Sequence, residues 1–303
     1  MPTPGAEDNP NPCQQEIAFP PPFAVQENPM NQEFAGYSIT RPMTGGGMTK
    51  LYVAIDAQQT RYVIRVLDAV TAKDRKSRRR FFHGGEVIAR LNTPKPHPNI
   101  VPFIKAGYED KGKTPYMVLE YVESRTLRDL LLYREPLLTD NVMIFIRQLA
   151  NVIQYIHAHG FLHLDIKPEN ILIRPDGRLV LIDFDLALPR KRFFKKLSTV
   201  SGTTAYVPPE TLVNRVADDR ADIYAFGICC YEMLTFHKPY EGEKIDLVRA
   251  AQIDPRTPPT PIRQYNANVP AALANLVMKC IAKNPEDRYP DMFLVLRDLD
   301  KLS

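Results

Sequence analysis

Residues 163–170 read HLDIKPEN, and residues 183–185 read DFD directly after the apolar run LVLI. The first stretch follows a helical pattern that closes in YIHAHGF at 155–161, so it is a loop. Within six positions it sets out Asp165, Lys167, Glu169 and Asn170. Upstream, Val142, Ile146, Leu149, Ile153 and Ile156 recur at spacings of three and four, the stripe of an amphipathic helix. Downstream, Ile171–Ile173 and Leu179–Ile182 have strand character, and helices are expected near Asp222–Leu234, Ala271–Ala282 and Met292–Lys301.

Towards the N-terminus the period changes. YSIT (37–40), KLYVAID (50–56) and RYVIRVLDA (61–69) alternate as strands separated by a GGG and a QQ turn. Val87, Ile88 and Leu91 then mark one helix, and Val101–Ala106 and Tyr116–Val122 resume strand character. Five strands and one helix before about residue 122, followed by a mainly helical part, predict an α+β chain of two lobes. No internal repeat is visible.

The chain has 303 residues, 44% hydrophobic and 24% charged, which is ordinary for a globular protein and excludes disorder throughout. Eight of its 28 prolines fall in residues 1–30, so residues 1–34 are expected as a proline-rich, disordered arm. A net charge of +4 is too small to argue for nucleic acid or a membrane as partner. Cys13, Cys229, Cys230 and Cys280 lack the spacing of a disulfide framework or zinc site, which favours a reducing, cytoplasmic setting. The N-terminus has no basic segment followed by an apolar one, so neither secretion nor a membrane anchor is expected.

With HPNIV (97–101), LEYV (119–122), GTTAYVPPE (202–210), DIYAFG (222–227) and PEDRY (285–289) in the same order, the chain resembles the protein kinase family over about residues 37–301. The resemblance implies a two-lobed protein-kinase-like fold, with residues 35–122 as a small β-rich lobe and 123–303 as a helical one. It implies ATP and Mg²⁺ as cofactors and a protein substrate or regulatory partner. Asp165 matches the base that accepts a hydroxyl proton, Lys167 lies two residues on near the transferred phosphate, and Asn170 and Asp183 match the metal ligands. Gly45, Gly46, Gly47, Leu51, Val63, Arg65, Glu120, Val122 and Leu172 match nucleotide-binding positions. The Lys-Pro-Glu-Asn form is similar to serine/threonine kinases. Glu210 and Arg288 resemble a buried structural ion pair, and Asp222 a carboxylate that holds the catalytic-loop backbone.

The small lobe departs from the family pattern. Aligning YVIRVL with V-A-I-K puts Arg65 where a lysine holds the phosphates and Val63 where an alanine faces adenine. A planar guanidinium is not equivalent to an ammonium. The helix glutamate that pairs with that lysine falls, by the phase of Val87, Ile88 and Leu91, at Gly84. Glu86 lies about 200° round the helix and reads as a surface partner of Arg90. Thr44, Gly46 and Thr49 take the three positions of the phosphate-loop glycines, and Lys50 nearby is out of register to supply the missing charge. Leu164 replaces the arginine that answers activation-segment phosphorylation, and Asp185 replaces the glycine of the metal motif, either adding a ligand or stiffening the loop. Arg190, Lys191, Arg192, Lys195 and Lys196 make the following segment cationic. Two readings stay open: a serine/threonine kinase of reduced or atypical activity, and a pseudokinase acting as a nucleotide- or protein-binding regulatory module.

Overall fold

Alternation in the first part of the chain becomes a six-stranded antiparallel sheet. Its strands are β1 (Gln32–Phe34), β2 (Tyr37–Met43), β3 (Thr49–Ile55), β4 (Arg61–Leu67), β5 (Phe103–Glu109) and β6 (Thr114–Glu120), in spatial order β1-β2-β3-β4-β6-β5. In the computed structural model, residues 32–43, 49–190, 195–196, 204–242 and 244–302 are described. The expected arm as far as residue 31, Thr44, Gly45, Gly46, Gly47, Lys191 and Arg192, and the side chains of Lys195 and Lys196, lie outside them.

The lobe begins earlier than expected and has six strands rather than five. Gln32–Phe34 pair with β2 through a two-residue turn in which Ala35 takes a φ of 55°. Phe34 meets Tyr116 edge-on at 5.5 Å, and Lys105 Nζ donates to the Ala35 carbonyl at 2.9 Å. Gly36 follows with a φ of 85°, so glycine supplies the second left-handed position, while Ala35 rarely adopts the first and leaves the turn signal weak.

Register sorts the sheet into two faces. Leu51 lies opposite Arg65, Val53 opposite Val63, and Met117 and Leu119 continue that face across β6. Ala54, Ile64, Val66, Tyr116 and Val118 form a separate apolar cluster on the other face. Helix α1 (Arg75–Leu91) starts at Asp74, whose carboxylate accepts from the Ser77 amide at 2.8 Å. It buries Phe81, Gly84, Gly85, Val87, Ile88 and Leu91, and it runs through both glycines without interruption.

The second lobe is built on α5 (Asp219–Thr235), buried on every side from Ala221 to Thr235, the mark of a helix at the centre of a domain. Before it come β7 (Arg125–Thr126), α2 (Leu127–Leu132), α3 (Pro136–Ala158), β8 (Phe161–Leu162), β9 (Ile171–Ile173), β10 (Leu179–Leu181), β11 (Leu188–Pro189), β12 (Lys195–Lys196), α4 (Pro209–Asn214) and β13 (Val216–Ala217). After it come α6 (Ile245–Ile253), α7 (Ile262–Tyr265), α8 (Ala271–Cys280) and α9 (Met292–Asp300). Helix α3 opens six residues before Val142, with Pro136 at its first position and a non-helical Asn141 (φ −122°) between the two parts. Strands β10, β9 and β7 form a small sheet; the 163–170 loop runs into β9, and residues 183–185 follow β10. Cys229, Cys230 and Cys280 are free and buried, and burial pushes their thiols up, that of Cys280 to about 12.

Candidate active site

The HLDIKPEN loop is held from behind by α5. Asp222 is fully buried; its Oδ2 accepts from the His163 amide and its Oδ1 from the Leu164 amide, both at 2.8 Å, while His157 Nε2 lies 2.8 Å from Oδ2. Burial opposes ionisation, but these hydrogen bonds hold the Asp222 carboxyl below the usual range. Leu164 and Asp183 both adopt left-handed backbone, φ 62° and 63°, a conformation that costs free energy and persists where neighbours enforce it. His163 packs edge-on against Phe184 at 4.6 Å. Its Nδ1 accepts from the Asp165 amide at 3.2 Å and its Nε2 lies 3.3 Å from the Ile182 carbonyl. Burial pushes its pKa down, so it is a neutral, packed ring.

The loop brings Asp165, Lys167 and Asn170 together. Lys167 Nζ donates to both carboxylate oxygens of Asp165 at 3.0 and 2.9 Å. Asn170 Nδ2 donates to the Asp165 carbonyl at 2.8 Å and to its Oδ2 at 2.9 Å, which leaves the amide oxygen for another partner. Burial raises the Asp165 pKa, Lys167 works against this, and the nearby negative charge of Asp183 adds to it. The result is a carboxylate held in one orientation and more basic than a solvated one.

Arg65 extends from the sheet to this region, and its partner is Asp185. Arg65 Nη1 donates to Oδ1 at 3.2 Å and Nη2 to Oδ2 at 2.9 Å, a bidentate fork, with Asp183 Oδ1 a further 3.5 Å from Nη2. The Arg65 side chain is 9% exposed and lies over the Phe81 ring at 5.7 Å. Burial would lower its pKa, but Asp185 and Asp183 outweigh that and raise it. Burial, with Asp183 adding to it, pushes the Asp185 carboxyl up to about 6 against the opposing pull of Arg65. Glu86 is exposed, and Lys50, opposite Val66, lies on the other face of the sheet from Arg65.

Leu51, Val63, Val122 and Leu172 are half-buried, with Leu51 and Val63 on the Arg65 face of the sheet, and Glu120 is exposed. Glu210 and Arg288 form a buried bidentate pair at 2.8 Å. A further network was not foreseen from the sequence. Arg128 on α2 joins Glu169 and Glu232, each at 2.9 Å, and also donates to the Tyr206 hydroxyl, which donates to Glu232. No local pattern links residues so far apart along the chain. The Arg65–Asp185 pair, 120 positions apart, was missed for the same reason.

Residues 37–295 match the family described as protein kinase domain. Serine/threonine-protein kinase PrkC of Bacillus subtilis is 33% identical over 255 residues, which cover 84% of this chain and 38% of PrkC. Serine/threonine-protein kinase PknL of Mycobacterium bovis is 32% identical over 269 residues, 88% of this chain and 65% of PknL. The chain therefore spans 38% and 65% of the lengths of these two curated relatives. Among solved structures, the Mycobacterium tuberculosis PknI kinase domain has the same fold, with a TM-score of 0.67 at 22% identity over 90% of this chain and 98% of its own.

Proposed function

The chain belongs to the protein kinase family, and from that premise we propose that it is a serine/threonine protein kinase, moving the γ-phosphoryl group of ATP to a Ser or Thr hydroxyl of a protein substrate with Mg²⁺. The observation that carries this reading is the convergence of Lys167 and Asn170 on Asp165, in a loop whose backbone Asp222 holds. Phosphoryl transfer depends on positioning and on electrostatic stabilisation more than on covalent chemistry, and this geometry provides both.

Asp165 takes the proton of the attacking hydroxyl at a carboxylate oxygen, and its raised pKa suits it to do so. Lys167 keeps that carboxylate oriented through two hydrogen bonds and carries positive charge to the reacting oxygens. The Asp183 carboxylate and the Asn170 amide oxygen are hard oxygen donors of the kind Mg²⁺ takes, and they would hold it. Such an ion would supply positive charge against that of the phosphates. Arg65 supplies a fixed cation for the other phosphates, and Leu51, Val63, Val122 and Leu172 supply apolar surface for the base, with Glu120 at the edge. The number and spacing of the cysteines support a cytoplasmic site of action.

One observation favours a second reading, a pseudokinase that binds partners without transferring phosphate. Arg65 already has its charge offset by two carboxylates. Incubation with γ-labelled ATP and a basic protein separates the two: Mg²⁺-dependent label on Ser or Thr is expected. Retained ATP binding with no label at millimolar nucleotide would establish the second reading instead.

A further inference from the structure

Three departures in the small-lobe pattern meet at one point in space. Arg65 stands where a lysine is expected, Gly84 where its glutamate is expected, and Asp185 where a glycine is expected. Arg65 forks onto Asp185, as described above. A Cβ on Gly84 would come 2.6 Å from Asp185 Oδ1 and 3.1 Å from both its Cα and its backbone nitrogen. The space a helix glutamate would use is therefore occupied by Asp185, and side chains at both positions exclude one another.

The same face of α1 grips the loop. Arg80 Nε donates to the Asp185 carbonyl at 3.2 Å, and His83 Nε2 lies 3.0 Å from the Ala187 carbonyl. Arg80, His83 and Gly84 are spaced i, i+3 and i+4, so they share one side of the helix. Two donors fix the loop backbone while the glycine admits its side chain.

We propose that Asp185 is the positioning residue for Arg65: the carboxylate that orients the phosphate-facing cation has moved from helix α1 to the loop, and Gly84 is the gap that admits it. This deepens the kinase reading and rests on it for the role of Arg65 toward ATP, but the pair itself stands on geometry. Arginine fits the new arrangement because its planar fork matches a carboxylate in two hydrogen bonds, where an ammonium would offer a point charge. The orienting carboxylate and the proposed metal ligand Asp183 then sit two residues apart in one loop. Orientation of the cation then follows that loop together with the face of α1 that grips it.

Moving the carboxylate back tests this. Asp185→Gly, Asp185→Gly with Gly84→Glu, and both chains with Arg65→Met added are compared with wild type by thermal unfolding without nucleotide. Removing one partner of the buried pair lowers Tm by roughly 10 °C in Asp185→Gly. Adding Gly84→Glu to it recovers more than half of that loss, and adding it in the Arg65→Met background recovers none. A double variant no more stable than Asp185→Gly overturns the proposal, and so does recovery that persists without Arg65, because the glutamate would then only be filling space. ATP affinity is the second readout: about tenfold weaker in Asp185→Gly and restored in the double variant. Wild type that binds no ATP would defeat the kinase reading, while the unfolding series would still decide the pair.

Discussion

Arg65 looks in the sequence like a damaged lysine, and in the structure it is half of a matched pair. The difference has a consequence for the obvious repair. Arg65→Lys should not restore anything: it replaces a two-bond fork on Asp185 with a point charge and costs about 1.5–3 kcal/mol, the worth of one charge-assisted hydrogen bond. Urea unfolding of the variant checks this, and a midpoint above wild type would be inconsistent with the pair. His163 gives a pH dependence at the same scale. Its folded pKa lies below the ordinary 6.5, so the stability it contributes is fully present above that value and is lost as pH falls below it. The urea midpoint should therefore drop between pH 7.5 and 5.5, and His163→Phe should show a shallower drop. The Asp222 carboxyl, held low, adds a second loss only below about 3.8.

At the scale of elements, periodicity carried most of the information. Alternation located β2, β3, β4 and β6 to within a few residues, and the stripe at Val87, Ile88 and Leu91 put position 84 on the buried face of α1. What the sequence hid was short or long-range. The helices α4, α6 and α7 run four to nine residues, too few for a clear period, and β1 has only three. The partner of Arg65 was not legible because position 84 reads as a loss and position 185 as an addition. Only their meeting in space makes them one change. Close packing of α5 on α8 is a separate, testable feature. A Cβ on Gly227 would lie 2.6 Å from Ile281 Cγ2 and 2.8 Å from Cys280 Cβ. Gly227→Ala should cost about 1–3 kcal/mol by overpacking, read as a fall in Tm. A Tm equal to wild type would mean that the two helices separate freely.

For the molecule as a whole, buried ion pairs and hydrogen bonds make the helical lobe a fixed platform for the site. Arg288 joins Glu210 to the carbonyls of Arg220, Ala282 and Lys283, and Asp222 holds the loop that carries Asp165. The departures from the family pattern are concentrated in the small lobe and in the two loop positions Leu164 and Asp185, while the carboxylates and amide proposed to do the chemistry lie on that platform. Asp165 is therefore the residue on which phosphoryl transfer depends most directly. Transfer of labelled γ-phosphate to a basic protein should fall by roughly 10²–10⁴ in Asp165→Asn, with Tm and ATP affinity close to wild type. Equal transfer by the wild-type and Asp165→Asn chains would contradict it.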